Sequence, residues 1–448
     1  MSGLLSVVLL AGLAAAAPAP VPHKPNGYTP PLKPHGTNGY QVSYGPRPFY
    51  IVNNMTDSPL KRKLQSCENG PFSISEWSIG HRGGGTLQFP EETEENNLAG
   101  ARMGSGVLEC DVAFTSDLQL VCRHSQCDLH TTTDILLRPE LAAKCTTPFT
   151  PANGTSPASA LCCTSDITLA EYGTLCGKVD GSNASATTPA AYQRGGPTWR
   201  TDLYNTCGKV LSLAEHIDLV DSIPGFRNYT PELKTPPAEV PMPFRGNYTQ
   251  QQYARDMIDA FIAKGIDYHR VWPQSFLPDD IFQWIEEYPD TFGRQAVYLD
   301  DRGDDPADLP AAAARLPSLR ARGLNYLAPP IPYLLTTSNA TKNSGLVPSA
   351  YALAAKAADL DIISWTFERS GPLRDVNRTA DFYYQTFSEA ISFDRQHYEV
   401  LDVLARDVGI IGLFTDWSET VGYFANCLKI PGPSVAAQRR EREGKYAR

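Results

Sequence analysis

Glu109 and Asp111 lie two residues apart in Val107-Leu108-Glu109-Cys110-Asp111-Val112-Ala113-Phe114. Apolar side chains occupy Leu108, Cys110, Val112 and Phe114. Strand side chains alternate with period two, so Glu109, Asp111 and Ala113 share the opposite face. Two carboxylates about 6.5–7 Å apart along one strand can tilt onto a single cation. Left unpaired on a buried face they would cost several kcal/mol, so something must neutralise them. Taken alone, the segment also reads as an ordinary half-exposed strand with a wet acidic face.

Four further segments carry reactive side chains. Ser78-Ile79-Gly80-His81-Arg82-Gly83-Gly84-Gly85 is an apolar strand ending in an imidazole and a guanidinium, and its glycines allow close backbone approach. Phe89-Pro90-Glu91-Glu92-Thr93 has a plain reading as a helix start, with Pro in the first turn and acids set against the dipole. In Thr115-Ser116-Asp117-Leu118-Gln119-Leu120-Val121-Cys122-Arg123-His124 a turn leads into a short returning strand, which places Leu120, Cys122 and His124 on one face. In Thr230-Pro231-Glu232-Leu233-Lys234, Glu232 and Lys234 share a face. Of the other histidines, His23, His35, His216, His269 and His397 read as surface or satisfied core positions, and His130 is the one rival to His124.

These segments need a scaffold that brings strand ends together. The chain has 448 residues, 42% hydrophobic and 20% charged, enough for a large core and too apolar for wholesale disorder. Lys and Arg number 39 against 49 Asp and Glu, a net charge of −10. That balance excludes a basic footprint for nucleic acid or an anionic membrane, so a bound anion must be held by a local cluster. No internal stretch reaches the ~18 apolar residues of a membrane span. Strand-like runs are expected at Trp77–Arg82, Val107–Phe114, Tyr229–Lys234, Tyr268–Trp272, Ala296–Asp300, Leu324–Ala328, Ile362–Phe367 and Ile410–Asp416. Helical segments alternate with them at Gln251–Lys264, Pro278–Tyr288, Ala311–Arg322, Pro348–Ala358 and Arg395–Val408. The rhythm favours an α/β fold, a (β/α)8 TIM barrel, over a doubly wound open sheet.

Residues 126–210 break that rhythm with Cys127, Cys145, Cys162, Cys163, Cys176 and Cys207, and read as a disulfide-rich insertion after the second strand. The adjacent Cys162 and Cys163 should reach different partners. Residues 1–17 read as a signal peptide, 18–70 as an extended Pro/Gly-rich N-terminal arm, 71–430 as the barrel domain and 431–448 as a charged C-terminal tail without a lipid-anchor signal. An even set of ten cysteines and seven Asn-x-Ser/Thr acceptors (Asn54, Asn153, Asn183, Asn228, Asn247, Asn339 and Asn377) support a secreted, extracellular glycoprotein.

Taken in order, the segments resemble the glycerophosphodiester phosphodiesterase family. Its pattern runs His-Arg-Gly, Pro-Glu-Asn-Thr, Glu-x-Asp-Val-x-x-Thr-x-Asp, a second His, then apolar-Glu-apolar-Lys. Here these are His81-Arg82-Gly83, Pro90-Glu91-Glu92-Thr93, Glu109 to Asp117, His124 and Glu232-Leu233-Lys234, with fainter echoes in Gln274-Ser275-Phe276, Ser364-Trp365-Thr366 and Phe414-Thr415-Asp416. The resemblance spans about residues 78–420 and implies the barrel fold. It also implies that Glu109, Asp111 and Glu232 bind one divalent cation, Ca²⁺ or Mg²⁺. His81 and His124 would be the acid–base pair. Arg82 and Lys234 would hold phosphate oxygens, Glu91 would sit behind them, and Trp365 would wall the pocket near the glycerol.

The implied reaction cleaves a small glycerophosphodiester to an alcohol and glycerol 3-phosphate. A glycerol hydroxyl attacks phosphorus, one histidine takes its proton, the other protonates the leaving alcohol, and water opens the resulting cyclic phosphate. Three carboxylates and a dication sum to −1, and Arg82 with Lys234 turn this to +1, which suits an anionic substrate. Nucleic acid and a stable membrane anchor are not expected partners. The chain departs from the pattern at Glu92, at Ser125 (where Asp usually follows the second His) and at Glu368. Two alternatives follow. One is a barrel phospholipase of the sphingomyelinase D kind, which would need an apolar loop beside the mouth. The other is a non-catalytic secreted wall or binding protein on the same barrel.

Overall fold

The computed structural model describes residues 42–204, 206–338 and 345–446. The expected signal segment 1–17, the arm as far as residue 41, His23, His35 and the acceptor Asn339 lie outside the described residues.

Eight parallel strands close into a barrel: β1 Ser75–Gly80, β2 Ser105–Phe114, β3 Asn228–Leu233, β4 Gln274–Ser275, β5 Val297–Leu299, β6 Tyr326–Ala328, β7 Asp361–Phe367 and β8 Gly412–Thr415. Each pairs with the next, and β8 returns to β1 through Ile79↔Phe414 and Gly80↔Thr415. Outer helices follow the strands: α1 Glu94–Arg102, α2 Leu213–Ser222, α3 Gln250–Ala263, α4 Pro278–Glu287, α5 Leu309–Ala321, α6 Ala350–Ala357, α7 His397–Asp402 and α8 Ser418–Leu428. Inward residues Ile79, Val107, Trp272, Val297, Leu299, Tyr326, Ala328, Ile363 and Phe414 pack the barrel interior. The outward set, such as Leu108, Cys110, Val112, Phe114, Tyr229 and Leu233, packs against the helices. The expected alternation along β2 is therefore the division between two cores.

The fourth strand differs from expectation. Tyr268–Arg270 form a 3-10 turn capped by Asp267, which accepts from His269 N at 3.0 Å; Val271 makes a single parallel bridge to Tyr229, and the continuous strand lies at Gln274–Ser275. Pro273 lies between and has no N–H to give a ladder, although its carbonyl still accepts from Val297 N at 2.8 Å.

The stretch expected as an extended arm carries two helices in its described part, Arg47–Asn54 and Pro59–Gln65. Its prolines are helix starters rather than breakers, since Pro48 and Pro59 occupy first turns and Ser58 caps the second helix by accepting from Lys61 N at 3.1 Å. Ile51, Val52, Met55 and Leu64 are buried in the main core. Residues Pro433–Glu443, expected as a charged tail, form a helix as well. Its Arg440 is buried because Asp361 Oδ2 accepts from Nε at 2.5 Å, and Ala437 packs against the barrel interior.

All ten cysteines are paired: Cys67–Cys427, Cys110–Cys122, Cys127–Cys163, Cys145–Cys162 and Cys176–Cys207. The neighbouring Cys162 and Cys163 do reach different partners. The insertion builds a small core of its own from residues such as Leu129, Ile135, Ile167, Tyr172, Leu175 and Tyr192. Three of the disulfides lie within it, each of a kind that stabilises by about 2–4 kcal/mol. Asn228, inside β3, is wholly buried and therefore cannot carry a glycan, whereas Asn54, Asn153, Asn183, Asn247 and Asn377 are exposed.

Candidate active site

The C-terminal ends of the strands surround a cavity of about 90 Å³. Its lining includes His81, Arg82, Glu109, His124, Glu232, Lys234 and Trp365, so seven of the nine side chains singled out in the sequence face one space. Register explains the convergence. Asp111 lies level with Glu232, and Glu232 with Gln274, on adjacent strands, and neighbouring strands are about 4.8 Å apart.

His81 follows directly on β1, beside the end of β8. Its Nδ1 lies 2.5 Å from Asp416 Oδ1, and a carboxylate only accepts. The ring proton is thereby held on Nδ1, leaving the Nε2 lone pair 3.9 Å from Glu109 Oε2. Asp416 is itself gripped by Arg200 Nη2 at 2.7 Å and Arg369 Nη1 at 2.9 Å. Burial lowers the His81 pKa to about 4, against the opposing pull of Asp416.

Arg82 has a left-handed backbone, φ 56°, a conformation an L-residue adopts only at some cost. The turn points its N–H at Glu109 Oε2, 2.7 Å away, and sends its guanidinium back to Glu91 Oε1 at 2.8 Å and to within 3.6 Å of Asp111. The glycines behind it permit this tight path: a Cβ on Gly100 of α1 would meet Gly83 O at 1.9 Å. Glu91 stays charged, because Arg82, Arg369 and Arg200 outweigh its burial.

His124 corrects one expectation. It was placed on the same face as Cys122, but Cys122 is bonded to Cys110 on the outer face of β2, whereas His124 lines the cavity. The returning strand ends at Cys122, and the chain bends after it, which breaks the alternation. Burial, with Arg82 and Lys234 nearby, holds the His124 pKa well below 6.5. His124, Glu91 and Asp128 bring ligand atoms within 4.8 Å of one another. A carboxyl therefore stands near His124 although Ser125 offers none: that of Asp128, which accepts from Ser125 N at 3.1 Å and whose pKa burial raises to about 7. The rival His130 accepts from Cys162 N at 3.3 Å and is not among the cavity-lining residues.

A fourth buried carboxylate, Glu92, stands with the three expected as donors. Glu92, Glu109 and Asp111 place oxygens within 4.8 Å of one another, while the Glu232 carboxylate is drawn onto Lys234 Nζ. Burial and mutual repulsion push Glu92 and Glu109 up, and Glu232 to about 7. Only Asp111 is held below its ordinary value, since Lys234 and Arg82 overcome its burial. Buried carboxyls that cannot all ionise beside one another, with no N–H donor among the described residues bonded to Asp111 Oδ2 or Glu92 Oε2, are a donor set that a hard divalent ion fits.

Trp365 closes one side. Its Nε1 donates to Ala328 O at 2.8 Å, and its ring meets Phe276 edge-on at 5.6 Å. Glu368, noted as a departure from the pattern, binds Arg47 and Thr420, with His397 Nε2 at 3.3 Å.

Sequence reasoning gave no role to Asp416, Gln274, Arg369, Arg200 or Asp128. The first two lay in segments already noted, at strand ends. Arg369 follows β7 by two residues, and Arg200 comes from the insertion, where no local pattern marks it.

No family model matches the chain. A protein of Arthroderma benhamiae named "Extracellular protein" is 45% identical over 253 residues, which cover 56% of this chain and 100% of that one. The chain belongs to the same family as that protein. Its name states no activity. Solved structures similar in fold are of the kind the motifs resemble. A protein of Silicibacter pomeroyi assigned as a glycerophosphoryl diester phosphodiesterase is 18% identical with a TM-score of 0.49, covering 82% of this chain and 98% of that one. A phosphodiesterase of Oleispira antarctica, solved with its product sn-glycerol 3-phosphate, is 14% identical with a TM-score of 0.43, covering 79% and 97%. A likeness at that level carries no argument about activity, which must come from the side chains.

Proposed function

We propose that this chain is a secreted, metal-dependent glycerophosphodiester phosphodiesterase. The observation that carries the reading is the shared cavity: two imidazoles, His81 and His124, and two cations, Arg82 and Lys234, face the space that Glu109 and Glu232 also line. Secretion is supported by the name of the Arthroderma relative, by five disulfides and by exposed glycan acceptors.

The residues divide the work as follows. Arg82 and Lys234 bind the phosphodiester oxygens, and Arg82 is held ready by Glu91. His81, with its proton fixed on Nδ1 by Asp416, offers Nε2 to take the proton of the attacking glycerol hydroxyl. His124, placed beside Glu91 and Asp128, gives a proton to the leaving alcohol. The bound phosphate anion raises the affinity of His124 for that proton, because it offsets the cations that depress it. Water then opens the cyclic phosphate with the two histidine roles exchanged. Trp365 packs against the glycerol carbons. Glu109, Asp111 and Glu232 would hold one divalent cation, which when bound would supply charge to stabilise the phosphoryl oxygens.

Hydrolysis of glycerophosphocholine with Ca²⁺ or Mg²⁺ tests this. Activity should vanish with EDTA and in His81→Ala. Absence of turnover in any divalent metal would favour the non-catalytic binding protein.

One observation favours the phospholipase alternative as a second reading. Trp199, Leu203 and Tyr204 are 42%, 68% and 61% exposed, on the insertion segment that delivers Arg200 to Asp416. This is the apolar loop beside the mouth that such an enzyme needs. Faster turnover of lysophosphatidylcholine than of glycerophosphocholine would select it.

A further inference from the structure

Glu92 stands where the pattern has asparagine, and it is wholly buried. Its Oε1 accepts from Asp111 N at 3.3 Å, and apart from the neighbouring Asp111 carboxyl no group among the described residues reaches its buried Oε2. It brings an oxygen within 4.8 Å of those of Glu109 and Asp111. Cys110 and Cys122 are also near it, but their sulfurs are spent in a disulfide. A second and independent feature marks the same place. Gln274 is wholly buried and its Nε2 donates to Glu109 Oε1 at 2.9 Å, while its Oε1 has no hydrogen-bond partner among the described residues. A buried carboxamide oxygen without a donor beside buried carboxylates is what a cation would satisfy and what a purely apolar or hydrogen-bonded core would not leave.

We infer that Glu92 is an additional acidic donor to the divalent cation of this site, and that the enlarged oxygen set selects Ca²⁺ over Mg²⁺. The inference rests on the metal-binding reading given above. Mg²⁺ keeps most of its waters and usually takes one or two carboxylates, whereas Ca²⁺ takes six to eight oxygens in a forgiving geometry. Glu92, Glu109, Asp111, Glu232 and the free oxygen of Gln274 together suit the larger ion. The nearby cation Arg123 attracts Glu92 without hydrogen-bonding to it: its Nη2 donates to Tyr172 Oη at 3.3 Å, and its Nε and Nη1 have no hydrogen-bond partner among the described residues.

The test uses the chelator-stripped full chain, titrated calorimetrically with CaCl₂ and with MgCl₂, alongside Glu92→Gln and Glu92→Asn. The wild type should bind Ca²⁺ at least about tenfold more tightly than Mg²⁺, and Glu92→Gln should weaken Ca²⁺ about tenfold and Mg²⁺ less than about threefold. Luminescence lifetimes of bound Eu³⁺ in H₂O and D₂O should count an additional coordinated water in Glu92→Gln. Thermal unfolding in chelator identifies whichever variant folds as the wild type does, and that variant decides. Ca²⁺ affinity within about twofold of wild type, with an unchanged water count, would overturn the inference and leave Glu92 a counter-charge to Arg123. A wild type that binds neither cation would overturn the metal reading itself, and this inference with it.

Discussion

Replacing Asp416 with asparagine preserves its size and removes its charge. Its Oδ1 meets His81 Nδ1 at 2.5 Å, and its Oδ2 accepts from Arg200 at 2.7 Å and Arg369 at 2.9 Å. An asparagine has two ways to sit there. With its oxygen toward His81, its amide faces two buried guanidiniums, donor against donor. With its amide toward His81, the ring proton must move to Nε2, and the lone pair leaves the cavity. Hydrogen bonds to charged groups contribute about 1.5–3 kcal/mol each. Loss of one such bond, or of the productive tautomer, is expected to raise the barrier by about 2–4 kcal/mol, a fall of about 30- to 1000-fold in kcat. Since Asp416 raises the His81 pKa, its loss also moves that pKa further below about 4. The assay is glycerophosphocholine turnover with saturating metal, beside thermal unfolding to confirm the fold. Turnover within threefold of wild type in a properly folded Asp416→Asn would refute the assignment of His81 as a held base.

Arg200→Met removes the insertion's contribution to that network, and a loss of about tenfold in kcat/KM with little change in Tm is expected; unchanged kinetics would make Arg200 structural only. Gly100→Ala puts a methyl 1.9 Å from Gly83 O, so about 1–3 kcal/mol of destabilisation should appear in denaturant melts together with reduced activity, and a wild-type melt would contradict the close approach. His216 is buried with its pKa lowered to about 3. Between about 6.5 and 3 the unfolded chain binds a proton that the folded chain refuses, so stability is present above 6.5 and falls by about 1.4 kcal/mol per unit as pH drops through that window. His216→Gln should flatten the acid limb of Tm against pH, and parallel curves for the two proteins would exclude His216 as its source.

Local patterning was enough for much of the barrel and for one wall of the site. Alternation along β2 assigns Glu109 and Asp111 to one face whatever lies opposite, because the pleat is a property of the strand itself. The same holds for Glu232 and Lys234 at the end of β3, and for the His81-Arg82 pair at the end of β1. The arm at 42–70 was misread for a local reason too, since proline marks helix starts as readily as loops, and only burial of Ile51, Val52 and Leu64 distinguishes them.

Other features depend on where the chain returns after long excursions. Asp416 reaches His81 across 335 residues because β8 closes onto β1. Arg200 reaches the same carboxylate from an insertion with its own core. Cys122 is tied to Cys110 on the outer face, and the bend that follows turns His124 inward against the strand's alternation. Residue types and spacing therefore determined which groups could do chemistry. Barrel closure and the disulfides decided which of them meet, because side-chain direction within an element is local, whereas distance between elements is a matter of packing.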